Sequence, residues 1–317
     1  MIDPRLAGIG WHKEDQIAWG EKSREGQIPA RVVGLHRNHI VDLLTVDGEI
    51  PGRPAGRMLQ DRSPATAMPA VGDWVATLPD GTIQEILPRR SALARRSAAD
   101  RDRIQILATN IDKAIVISSL NREHDPVRLE RMVRLAEASG AEPVIGLSKS
   151  DLSDEARELQ ARVEQAFPEV KVFVFSSQTG EGVDAVREFL EPGETVVMLG
   201  RSGVGKSTLA NTLLGWERQK TALVRDTDDR GRHATTSREL FPLPGGALLI
   251  DTPGLRAPGS IEADDLIPGS AESDLTDERA REIERLAAYC RFRDCAHETE
   301  PDCAVNAAIE AGELPAR

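Results

Sequence analysis

Val196-Val197-Met198-Leu199-Gly200-Arg201-Ser202-Gly203-Val204-Gly205-Lys206-Ser207-Thr208 decides how the rest of this chain is read. The first four residues suit the end of a buried strand, and Gly200 through Ser207 match G-x-x-x-x-G-K-[ST]. Leu209, Leu213 and Leu214 then carry helical spacing. A strand, a glycine loop and a helix in that order make a phosphate site. The glycines let backbone N–H groups turn inward, Lys206 neutralises β- and γ-oxygens, Ser207 ligates Mg²⁺, and the helix N-terminus adds its dipole. The whole loop, Gly200 through Thr208, is therefore expected to bind a nucleotide.

Downstream, Leu248-Leu249-Ile250-Asp251-Thr252-Pro253-Gly254 is an apolar strand ending in D-x-x-G. An aspartate there holds Mg²⁺, usually through water, and the glycine N–H reaches the γ-phosphate, which assigns Asp251 and Gly254. Between the two motifs, Arg230-Gly231-Arg232-His233-Ala234-Thr235-Thr236 stands where a switch loop supplies a threonine to Mg²⁺. Thr236 is preferred and Thr235 is the second choice. Leu255 occupies the position where Ras-like enzymes place the glutamine that orients water, and an apolar side chain cannot do this. His233 is the candidate for that task, against the plainer reading of a surface loop histidine.

Guanine differs from adenine in presenting N1–H and an exocyclic amine, two donors that one carboxylate accepts together. Pro143-Val144-Ile145-Gly146-Leu147-Ser148-Lys149-Ser150-Asp151 is a strand ending in that chemistry: Asp151 takes the two donors and the Lys149 stem covers the base. Val172-Phe173-Val174-Phe175-Ser176-Ser177 ends a second strand in small residues whose backbone N–H groups suit guanine O6. Both guanine motifs precede the phosphate loop, the reverse of the usual order. A sheet depends on which strands are neighbours and not on where the chain begins, so a circular permutation leaves such a site intact. Lys149-x-Asp151 also argues against an ATP-using kinase or metabolic enzyme.

Working outward, apolar runs at 114–118, 143–147, 172–175, 195–199 and 247–250 alternate with helical stretches at 127–139 and 153–167. That alternation predicts a mostly parallel sheet covered on both faces. Before it, short strand-like runs at 30–34, 39–44, 72–77 and 82–87 are separated by turns such as Asp47-Gly48 and Pro79-Asp80-Gly81. They predict a small barrel, an OB-fold above others. The first 25 residues, polar and holding two tryptophans, read as a partly ordered arm. Residues 89–103 hold six arginines against two aspartates, either a solvated linker or a phosphate-contacting stripe.

After Ile250 the chain turns acidic. Residues 257–289 carry nine acidic and three basic side chains, half the net charge of −12, so the acidity is local and does not exclude a nucleic-acid partner. One helix is expected near 277–288. All three cysteines then stand in Cys290-x₄-Cys295-x-His297-x₅-Cys303. Three thiolates and an imidazole in one short loop suit a closed, tetrahedral, structural Zn²⁺ site, one per chain. Cysteines used this way fit a reducing compartment, and the expected location is the cytoplasm. No run is long and apolar enough to span a membrane.

Barrel, Gly72-Asp73-Trp74-Val75, permuted motifs, Asp251-Thr252-Pro253-Gly254 and terminal cysteines together resemble the circularly permuted, ribosome small subunit-dependent GTPase A family. The resemblance covers essentially the whole chain. It implies a multidomain α/β protein: arm and OB-like barrel over 1–95, GTPase domain over 96–256, and a helical zinc-binding module over 257–317. It also implies a monomeric GTPase that cycles between GTP and GDP late in maturation of the small (30S) ribosomal subunit. The subunit and its rRNA would then be the partners, and the subunit would stimulate hydrolysis. The alternative is a nucleotide-gated RNA-binding assembly factor with little turnover of its own. One departure matters: Ser148 stands where the family more often has Asn or Thr, so the bond tying the guanine loop to the phosphate loop is expected to reach less far.

Overall fold

The computed structural model describes residues 2–60, 68–96, 104–120, 125–153, 155–215, 239–251, 266–268, 303–304 and 307–308. Contacts divide the chain into two compact units, Met1–Pro268 and Gly269–Arg317. The first opens with α1 (Pro4–Ala7), α2 (Lys13–Lys22), β1 (Ile28–Leu35), β2 (Val41–Thr45), β3 (Gly48–Pro54) and α3 (Gly56–Gln60). It continues through β4 (Trp74–Thr77), β5 (Thr82–Ile86), β6 (Ala92–Arg96), β7 (Ile104–Thr109), β8 (Lys113–Ser119), α4 (Pro126–Ala138) and β9 (Glu142–Ser148). Then come α5 (Ala156–Ala166), β10 (Lys171–Phe175), α6 (Val183–Phe189), β11 (Thr195–Leu199), α7 (Lys206–Leu214), β12 (Glu239–Pro242), β13 (Leu248–Asp251) and β14 (Leu266–Pro268).

The expected OB-like barrel is formed by β1 to β5. In β2, Val41, Leu43 and Thr45 are buried while Asp42 and Leu44 are only partly so, the period of two that turns one strand face inward. With Ala30, Val32, Val75 and Ile83 these apolar side chains fill the interior. The strands take the order β1-β2-β3-β5-β4, and β4 returns to pair with β1 from Ile28↔Thr77 to Arg31↔Trp74. Closure leaves no open edge. The arm is ordered further than its composition suggests. Trp11 packs edge-on against Trp74 with ring centroids 4.6 Å apart and lies 6.2 Å from Trp19, so the arm's aromatic residues cover one end of the barrel.

The second part is the expected parallel sheet. Strands β10, β9, β8, β11 and β13 run parallel in that order, and β12 lies antiparallel beyond β13. Neighbouring residues point to opposite faces. Val116, Val197 and Ile250 belong to the core under α4, while Ile115, Ile117, Met198 and Leu249 belong to the core shared with α6 and α7. In α4 the buried residues Leu129, Met132, Val133 and Ala136 trace a single helical stripe. Asp125 caps this helix, accepting from the Arg128 N–H at 3.1 Å, and Pro126 begins it.

Two features were not expected. Strand β12 pairs with the barrel strand β1 at Gly34↔Glu239, so barrel and parallel sheet are one continuous 11-stranded sheet. The arginine-rich run is also neither a plain linker nor a uniform stripe. Its middle forms β6 in an antiparallel sheet with β7 and β14, and the expected boundary at 95/96 falls inside that strand. Arg89 makes a two-pronged pair with the fully buried Asp73, both bonds 2.7 Å, and Arg90 bonds Asp112 at 2.8 Å. These two cations are partly buried and tied to carboxylates. Among the described residues no helix is long and apolar enough to cross a membrane.

Candidate functional site

Because β8, β9, β10, β11 and β13 are parallel, their carboxyl ends meet at one edge. Leu199 lies beside Val116, Ser148 beside both Ser119 and Phe175, and Val197 beside Ile250, one residue before Asp251. The segments after 199, 148 and 175 and the end of β13 therefore converge, although the chain visits them in permuted order. Open α/β sheets bind ligands at this edge.

The phosphate loop is built as its sequence demands. Gly200 has a φ of 148°, and a Cβ on it would lie 2.6 Å from the Ile117 carbonyl oxygen. Only glycine lets the chain leave β11 so close to β8. Lys206 is the first residue of α7, and its Nζ donates to the carbonyls of Gly200 at 2.6 Å and Arg201 at 2.8 Å. The ammonium is thus held at the mouth of the loop. Arg201, Ser202, Gly203, Ser207 and Thr208 are exposed, while Val204 is buried. Behind them Leu209, Ala210, Leu213 and Leu214 anchor the helix in the core, which fixes the direction of its N-terminus. A glycine cradle, a lysine and an exposed serine on the first turn of a helix fit a triphosphate with Mg²⁺.

Ser148 joins this loop to the guanine motif. Its Oγ donates to the Val204 carbonyl at 2.6 Å, with the Ser118 carbonyl farther off at 3.3 Å. The short serine makes the tie through the close Val204 carbonyl. Lys149 then takes a left-handed φ of 62°, turning the chain into a 3-10 turn over Ser150–Leu152 that leaves Asp151 exposed. From the other strand, the Ser176 N–H is already donated to the Glu181 carbonyl at 2.9 Å, and its hydroxyl accepts from Gln178 and Thr179 N–H. Ser176 thus shapes its own turn, and its N–H is engaged there. The hydroxyl oxygens of Ser150 and Ser177 are buried without hydrogen-bond partners. Such groups are rare in a finished core, and two of them on the loops assigned to guanine fit a site shaped for a polar ring.

Asp251 ends β13, opposite Glu239 of β12. His233, Thr235, Thr236, Gly254 and Leu255 lie outside the described residues, and so do Cys290, Cys295, His297 and the helix expected near 277–288. Cys303 is described and buried. Among the described residues no group of three His, Cys, Asp or Glu side chains is placed to hold a metal ion.

Comparison with known proteins agrees with this geometry. The family model described as RsgA GTPase matches residues 86–261. A relative from Opitutus terrae, named small ribosomal subunit biogenesis GTPase RsgA, is 42% identical over 98% of this chain and 85% of its own length. One of the same name from Streptomyces coelicolor is also 42% identical, over 98% and 83%. Among solved structures, YjeQ from Thermotoga maritima superposes with a TM-score of 0.55 at 26% identity, covering 91% of this chain and 93% of that one. YloQ, titled a circularly permuted GTPase, gives 0.51 at 22% identity over 92% and 91%, a likeness of fold.

Proposed function

Because this chain belongs to the RsgA GTPase family, we infer that it hydrolyses GTP and acts in the biogenesis of the small ribosomal subunit. The observation that carries the enzymatic half is the convergence of phosphate loop and guanine motif at one sheet edge, tied by the Ser148–Val204 bond. The biogenesis half rests on the relatives' name.

In this reading Gly200–Thr208 hold the phosphates, with Lys206 against the β- and γ-oxygens. Ser207, Asp251 and Thr236 hold Mg²⁺, which when bound neutralises charge on the phosphates. Asp151, Lys149 and the Ser177 turn read guanine. The chain works as a monomer in the cytoplasm, where its barrel, of a type that binds oligonucleotides, faces rRNA. Turnover measured alone, with small subunits and with large subunits tests this: only small subunits should accelerate GTP hydrolysis. Acceleration by neither subunit, or by both alike, would overturn it. For the isolated protein Leu255 favours a second reading, a nucleotide-gated RNA-binding assembly factor with little intrinsic turnover; the same assay separates the two.

The second unit, Gly269–Arg317, shorter than the expected 257–317 because β14 pairs with β6, is proposed to close around one structural zinc through Cys290, Cys295, His297 and Cys303. Metal analysis of protein purified without chelators should find about one zinc per chain. Cys295→Ser should lose it without changing nucleotide affinity. Absence of metal in the wild type would remove this assignment.

A further inference from the structure

Far from the nucleotide loops, at the amino edge of the parallel sheet, one arginine touches the arm, the barrel and the P-loop strand together. Arg31 belongs to barrel strand β1 yet is wholly buried outside the barrel core. Its NH2 donates to Thr195 Oγ1 at 2.7 Å and lies 3.4 Å from the Asn110 carbonyl, its NH1 reaches the Ile9 carbonyl of the arm at 2.5 Å, and its Nε lies 3.4 Å from the Gly72 carbonyl. The guanidinium carbon sits 5.5 Å from the centre of the Trp74 ring. Gly10 makes the approach possible, since a Cβ there would lie 2.0 Å from the Arg31 NH1.

Thr195 is the first residue of β11, the strand whose other end is the phosphate loop. Its N–H donates to Asp112 Oδ2 at 2.7 Å, and Asp112 also meets Arg90 at 2.8 Å and His12 at 3.4 Å. Arg90 in turn faces Asp15 at 3.7 Å. Arm, barrel, the β6–β7 hairpin and the P-loop strand are thus locked at one polar node. Burial pulls the Arg31 guanidinium down to about 10, still charged at neutral pH. Burial would push the Asp112 carboxyl up, but His12, Arg90 and the Thr195 N–H together bring it to about 2. Both groups therefore carry their charge at neutral pH.

We propose that Arg31, through Thr195, is a positioning residue for the subunit-stimulated reaction: it fixes the barrel relative to the P-loop strand, so that a barrel seated on the small subunit presents the nucleotide loops in one orientation. This rests on the reading of the protein as a GTPase stimulated by that subunit. Strand β11 joins Thr195 directly to the phosphate loop. An error in how the barrel is held on that strand becomes an error in how the nucleotide loops face the subunit, and misorientation of this kind can cost roughly tenfold or more. Isosteric Thr195→Val removes the acceptor and little else, whereas Arg31→Met removes the joint. In both, nucleotide affinity, basal turnover and the half-saturating subunit concentration should stay within about twofold of wild type, while the maximal subunit-stimulated rate falls about tenfold. Thr195→Ser, which keeps the hydroxyl, should restore it. A wild-type stimulated rate in folded Thr195→Val would overturn the proposal, as would a loss that Thr195→Ser fails to rescue. Absence of stimulation in the wild type would instead condemn the reading on which the proposal stands.

Discussion

Lys206→Ala is expected to lower GTP turnover about a hundredfold or more, with the melting temperature nearly unchanged. The size reflects the removal of one preorganised charge aimed where negative charge develops, an effect that commonly reaches roughly 10²–10³ in rate. The intact fold is a matter of position. Lys206 begins α7, where alanine is a strong helix former, and the carbonyls it leaves belong to a loop whose residue 201 is exposed, so water replaces the ammonium. Ser207→Ala should behave alike, and its residual activity should need more Mg²⁺. Subunit-stimulated turnover at the wild-type rate in either variant would remove these residues from the site.

Asp151→Asn should change what the protein binds. The aspartate accepts two donors from guanine in charge-assisted hydrogen bonds worth about 1.5–3 kcal/mol each. Asparagine keeps one acceptor and turns a donor against the ring, so GTP affinity should fall about a hundredfold or more. Xanthosine triphosphate, whose 2-oxo group accepts where guanine donates, should bind the variant better than it binds the wild type. Asp151 is exposed at a turn, so the exchange should leave stability alone. Competition titrations with guanosine, adenosine and xanthosine triphosphates measure both effects. Equal wild-type affinity for GTP and ATP would show that the loop after β9 does not read the base.

How much of the molecule was legible in its sequence depends on where the information lies along the chain. The phosphate loop was fully legible because its constraint is local: the strand 195–199, the loop and α7 stand as their residues require. The parallel sheet was legible for a similar reason, since each apolar run and helical stripe declares itself within a short stretch of chain. Strands β3, β6, β7, β12 and β14 were missed, and two of them, β3 and β12, show why. The first contains Pro51 and Pro54, and the second is four residues long, held from outside by β13 and β1. The polar node was invisible because its partners are scattered. Arg31 meets Thr195 across 164 positions, and the arginine run gave no sign that Arg89 would answer Asp73 or Arg90 answer Asp112.

In the proposed function two motif groups, written in reversed order, form one nucleotide site at a single sheet edge. Amide hydrogen exchange, tracked segment by segment with and without GDP and Mg²⁺, tests it most directly. Nucleotide should slow exchange together in 200–208, in 148–152 and in the turn after Phe175, and leave the polar node around Arg31 unchanged. Protection confined to 200–208, with the loops after β9 and β10 exchanging as before, would contradict the claim.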